Sequence, residues 1–218
     1  YIAVLIGGFI LLAFHYFMAA IPLIDPTEAD IAMFSSYDFL FNLNHLVSMA
    51  IFGILGAVMG TRFVIEEYSG AKAILSFSYP ISPKKMMSAK LWLVFGYPVA
   101  AMLLCGIVIG GAFFFSESLF PLCVDHLTWE TIGWAFLSLL CHSLLAGAVA
   151  LLSIWIGFFK KSIPVTIVTA VIAATILCQA LSAAFSFRPV LFIVFGVAAI
   201  FTMAAVRSMF YQVEKMEV

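Results

Sequence analysis

The chain has 218 residues, 65% of them hydrophobic and 10% charged, with a mean hydropathy of +1.20. A soluble domain is about half apolar and about a quarter charged, so this chain has too few charged side chains to cover a water-facing surface and too much apolar mass to stay disordered. Ten Lys/Arg against eleven Asp/Glu leave a net charge of −1 without a basic tail, which excludes a nucleic-acid partner and leaves a polytopic membrane protein.

Six runs free of Asp, Glu, Lys and Arg divide the sequence: 1–24, 39–61, 91–116, 131–159, 162–187 and 189–206. Each meets the roughly 20 residues needed to span a bilayer, the last only narrowly. Backbone groups in lipid must be paired within the segment or in a closed barrel, and continuous apolar runs fit helices, not alternating barrel strands. The expected fold is an all-α integral membrane protein. It is a single transmembrane domain over 1–218 with six transmembrane helices, and a cytoplasmic coupling helix between spans two and three.

Span one starts with Tyr1 already inside the apolar run and carries His15 near its middle. It lacks the basic n-region and small-residue cleavage site of a signal peptide. Span two carries Asn42, Asn44 and His45 in one half, and Gly53, Gly56 and Gly60 in the other. Gly56-x-x-x-Gly60 lets a second helix backbone approach closely, within the chain or across a dimer. The segment 62–90 is the one long connection on its side. Val64, Tyr68, Ala71 and Leu75 recur at helical spacing, Tyr79-Pro80 breaks the pattern, and Ser82-Pro83 reads as N-cap and N1 of the helix leading into span three. Span four holds His142 near its centre with Ser138 and Ser143 close by, and span five holds Thr166, Thr169 and Ala173 as a small, weakly polar strip.

Nine basic residues (Arg62, Lys72, Lys84, Lys85, Lys90, Lys160, Lys161, Arg207 and Lys215) fall on one side of the six spans, and only Arg188 falls on the other. The excess of Lys and Arg places their side, with both termini, in the cytoplasm of a multi-pass cell-membrane protein. Trp92, Trp129, Trp134 and Trp155 lie near expected helix ends, as interfacial aromatics do. Cys105, Cys123, Cys141 and Cys178 form no C-x-x-C and no Cys/His metal spacing, so no metal is expected.

Asn42, His45, His142, Thr166 and Thr169 are the candidates for a translocation path, because polar groups within spans default to functional positions. The bland alternative is that each bonds a neighbouring helix. The expected spans hold no acid or strong base. A proton- or sodium-coupled carrier normally needs one near the midplane, so the energy should come from outside the chain.

The pattern Glu66-Glu67-x-x-Gly70, then Leu75-Ser76-x-x-x-Pro80-Ile81-Ser82 and Lys90, resembles the coupling segment of the permease subunits of bacterial type-2 (ABC-2 type) ABC exporters. Six spans and a long cytoplasmic connection between spans two and three are similar too. The amphipathic helix usual before span one is absent from the sequence, and the outer connection near Arg188 is short. The resemblance implies a membrane subunit whose Glu66, Glu67, Gly70, Pro80, Ile81 and Ser82 face a separate ABC ATPase. Two copies of that ATPase would hold ATP and Mg. The sequence has no G-x-x-x-x-G-K-[ST] of its own. A second permease chain, identical or homologous, would complete the path within membrane lipid. Members with small outer loops export or give immunity to antimicrobial peptides and peptide toxins, or export lipid-active drugs. An amphipathic cargo also suits the soft surfaces offered by twenty-three Phe and ten Met.

A non-ABC channel or structural subunit is the first alternative, but no charged ring or polar stripe marks a pore. An intramembrane protease is the second. His142 and Ser143 are adjacent and do not face each other on a helix, and no G-x-S-x-G is present. Glu66-Glu67 and Phe41-x-x-x-His45 resemble pieces of glutamate-type prenyl-protein proteases, but in reversed order and with Ala71 where Arg belongs. His45 and Glu66 would also stand about 30 Å apart along one helix. No enzyme is expected.

Overall fold

An apolar run surrounded by lipid can satisfy its backbone only by closing its own hydrogen bonds. The computed structural model describes residues 2–24, 33–67, 82–120, 122–123, 128–185 and 187–215, and there each of the six runs is a helix. They are α1 (Ile2–Ile24), α2 (Tyr37–Gly60), α3 (Pro83–Leu119), α4 (Trp129–Lys160), α5 (Ile163–Ser182) and α6 (Pro189–Lys215). All six are long and apolar enough to cross a membrane. The coupling helix expected between spans two and three, with Gly70, Pro80 and Ile81, lies outside the described residues.

Four helices outrun the charge-free stretches that located them, α4 only by Trp129, Glu130 and Lys160. α3 has 37 residues, or about 55 Å of helix against a hydrocarbon core of about 30 Å. It begins at Pro83 and carries Lys84, Lys85 and Lys90 on its first turns. α6 continues through Arg207 to Lys215. α2 passes into a π-helical turn, Thr61–Ile65, closed by Glu66 N–H donating to Thr61 C=O at 3.0 Å. A charge marks where a helix leaves lipid, not where it stops. Ser82 and Pro83 stand at N-cap and N1 of α3 as expected, although the Ser82 hydroxyl makes no cap bond. Its carbonyl accepts from Lys85 N–H at 2.9 Å instead.

Successive helices run in opposite directions, so the described basic residues Arg62, Lys84, Lys85, Lys90, Lys160, Lys161 and Arg207 gather at one end. Asp38, Glu117, Glu130 and Arg188 gather at the other. α4 is the central post. It touches α2, α3, α5 and α6, and 72% of its most apolar stretch is buried against about 20% for α1, α3, α5 and α6. The Ala146–Ala150 stretch gives it a narrow waist, and α2 lies closest to it. A Cβ on Gly53 would stand 3.1 Å from Val149, and one on Gly56 would stand 2.8 Å from the Pro98 ring of α3. One on Gly60 would meet Ile154 at 2.1 Å. All three glycines therefore serve packing inside the chain, not contact across a dimer. The π turn adds Val64 and Ile65 to a core at the basic end with Met87, Leu91, Ile154 and Met209.

The α4–α5 connection is a single tight turn. Lys161 caps α4 in the left-handed region (φ 49°, ψ 39°), which costs a residue with a Cβ about 1 kcal/mol. Lys161→Gly is expected to raise the thermal midpoint in detergent. The gain is at most about 1 kcal/mol, since the charge also favours the helix C-terminus. An unchanged or lower midpoint would show that the charge outweighs the backbone.

Candidate functional site

α2 and α4 bring Asn42, His45 and His142 around one hydroxyl. Ser138 Oγ lies 2.6 Å from Asn42 Oδ1 and 3.3 Å from both His45 Nδ1 and His142 Nδ1. His142 Nδ1 is also 2.8 Å from Ser138 C=O, one turn back on α4. One arrangement of protons satisfies every contact. Ser138 donates to Asn42. His45 Nδ1–H donates to the Ser138 oxygen, and His142 Nδ1–H donates to the Ser138 carbonyl while sharing its hydroxyl. Asn42 Nδ2 donates to Asp38 C=O at 2.8 Å. Ser138, His45 and His142 are buried, and the two imidazole rings lie 6.0 Å apart. With its one proton on the amide, Ser138 is not activated by either histidine.

Above this cluster, at the end opposite the lysines, a vestibule of about 310 Å³ opens between α2 and the α5–α6 turn. Asp38, Asn42, Phe185 and Arg188 line it. Below, it narrows to a cleft lined by Asn42, Trp134 and His142 that has no room for a water-sized sphere. Asn42 belongs to both, so the polar cluster is the floor of a closed inlet. Arg188 pins the mouth. It pairs with Asp38 of α2, reaches Glu130 of α4 at 3.9 Å, and stacks over the Trp134 ring at 4.8 Å.

The other sequence candidates stand elsewhere. Thr166 is buried against Gly157 near the α4–α5 turn, and its hydroxyl donates to Ser162 C=O at 3.1 Å. Thr169 donates to Val165 and Thr166 carbonyls of its own helix. Neither joins the cluster, because Thr in a helix bonds back onto the preceding turn. His15 is fully buried beside Phe113 (4.4 Å) and Phe41 (5.1 Å), and neither ring nitrogen has a hydrogen-bond partner among the described residues. At the basic end, Glu66 and Glu67 follow the π turn, and Glu67 is ion-paired with Lys90 of α3. Ser82 opens α3. Gly70, Pro80 and Ile81 lie outside the described residues.

Two features go beyond the sequence reading. Ser138, noted there only as a neighbour of His142, is the hub; its i, i+4 spacing to His142 was the available signal. Glu117, the first residue after the charge-free run 91–116, is buried in the last turn of α3. It accepts from Tyr37 OH (3.1 Å), Leu122 N–H (2.8 Å) and Cys123 N–H (2.7 Å). Among the described residues no group of His, Cys, Asp and Glu is placed to hold a metal.

No protein-family model matches the chain, and no solved structure matches it. A protein of Bacillus subtilis (strain 168), the uncharacterized protein YcbO, is 31% identical over 178 residues, covering 80% of this chain and 78% of the relative. An aligned stretch of that length takes in most of the six-helix body, and the chain belongs to the family of Bacillus subtilis YcbO.

Proposed function

We propose that the chain is the membrane-spanning permease subunit of an ATP-driven type-2 ABC exporter. Its basic end faces the cytoplasm of the cell membrane, and it works with two copies of a separate ATPase that bind ATP and Mg. The observation that carries this reading is the continuity of α2. One helix holds Asp38, Asn42 and His45 at the closed inlet, and its π turn ends at Glu66 and Glu67, where the resemblance puts the ATPase. A push on the 62–90 connection therefore acts on the helix that floors the inlet. The Lys90–Glu67 pair ties the end of the π turn to α3. The cargo we favour is an amphipathic peptide, toxin or antimicrobial, or a lipid-active drug, carried between two permease chains.

Because Glu67 already holds Lys90, reversing its charge alone tests two things at once. The exchange of both, Glu67→Lys with Lys90→Glu, restores the internal pair and inverts what the surface offers. Co-purification with the proposed Walker-A ATPase is expected to fall in Glu67→Lys and to stay low in the double exchange. Full recovery in the double exchange would make the pair structural only and sink docking at Glu67.

His142→Ala should impair export of the cargo while leaving assembly with the ATPase intact. His142 bonds only Ser138 of its own helix, so its loss breaks no hydrogen bond between helices. Transport at the wild-type rate would remove His142 from the path.

A further inference from the structure

At the basic end, α3 and α6 both pack on α4 and share the core of Met87, Leu91 and Met209, and beside that core they leave a cleft of about 490 Å³. Leu151 of α4 is its floor. Leu91, Trp92 and Phe95 of α3 form one wall, and Met203, Val206 and Phe210 of α6 form the other. Among the described residues the lining is apolar except for Ser88, Thr202 and Arg207, and contains no acid. Thr202 spends its proton on Ala198 C=O at 2.8 Å. Arg207 stands exposed at the mouth, with no hydrogen bond or ion pair to another described residue. Lys85 lies one turn before Ser88 on the same face of α3.

We propose that this cleft is a binding site for one anionic phospholipid. Its acyl chain lies in the slot between α3 and α6, and its phosphate lies on Arg207 with the Ser88 hydroxyl alongside. The inference rests on the chain spanning a membrane and not on the transport reading.

Lining and charge choose this occupant. From Ser88 to Phe95 the slot runs about 10 Å along α3. Beyond Ser88 and Arg207, the lining over that length is apolar but for Thr202, whose proton is already spent on its own helix, so it accepts a hydrocarbon chain. A guanidinium without a partner among the described residues, at the basic mouth of a largely apolar intramembrane cleft, selects an anionic headgroup over a zwitterionic one.

The test uses the full chain in nanodiscs of equal phosphatidylglycerol and phosphatidylcholine, released and weighed by native mass spectrometry. Wild type is expected to retain one phosphatidylglycerol, preferred over phosphatidylcholine by about fivefold, the factor one cation near an anionic surface supplies. Arg207→Gln should bring the preference to unity at unchanged thermal stability. Met203→Trp, at an exposed wall position, should lower retention of both lipids. Equal retention of the two lipids by wild type, or an unchanged preference in Arg207→Gln, would overturn the proposal. Disulfide capture of Met203→Cys between two copies in native membranes would also overturn it, by showing that a second chain covers the cleft.

Discussion

Replacing Gly157 by valine is expected to abolish the folded state of the purified protein, and by alanine to cost about 1–3 kcal/mol. A Cβ at Gly157 would lie 1.8 Å from Thr166 Oγ1, 2.9 Å from its Cβ and 3.3 Å from its Cα. Turning the Thr166 side chain relieves only the first contact, so the α5 backbone itself must retreat. It cannot do so freely, because the single-turn connection at Lys161 holds α5 against α4. Gly60→Ala is the control. There the collision at 2.1 Å is with Ile154 Cδ1, the end of a flexible side chain. The loss should be smaller, and Ile154→Val should recover most of it. Thermal unfolding in detergent reads both, and a Gly157→Ala protein as stable as wild type would show that α5 is not fixed as described.

Glu117→Ala should cost about 3 kcal/mol or more. The substitution takes the shared acceptor from the Tyr37 hydroxyl and from the N–H groups of Leu122 and Cys123, and a buried donor left without a partner costs about 1–3 kcal/mol. A carboxylate at a helix C-terminus opposes the dipole, so only the convergence of those three donors accounts for its burial. Glu117→Gln keeps an oxygen acceptor and should lose less. Maleimide labelling of a variant with Cys123 as its single cysteine gives a local readout. Cys123 is buried, and labelling should accelerate in Glu117→Ala. Slow labelling with wild-type stability would mean that Glu117 holds nothing.

The six helices were legible because lipid removes every other option for a long apolar backbone. Their ends were less so: Arg207 is charged yet sits mid-helix in α6, and Lys90 lies two turns inside α3. The candidate path was half legible. Asn42 and His45 share α2, and their approach to His142 depends on α2 lying against the narrow Ala146–Ala150 waist of α4. Single-sequence spacing cannot give that register. Thr166 and Thr169 looked like path residues because hydroxyls in a span are conspicuous. Their bonds to their own helix answer that without a ligand. The burial of Glu117 was not legible, because it depends on Tyr37, 80 positions away.

The central position of α4 bears on how the protein is made. Synthesis delivers α1 to α4 before α5 and α6 exist. On entering the bilayer, α4 can meet α2 at once, joining Ser138 to Asn42 and His45, but its remaining flank must wait in lipid. α5 and α6 then arrive as a short hairpin that closes over that flank, with Gly157 and Thr166 as the latch. A ribosome stalled after α4 would leave a four-helix intermediate with its polar cluster formed and one side uncovered. That species, more than any unfolded chain, is what membrane quality control would have to recognise.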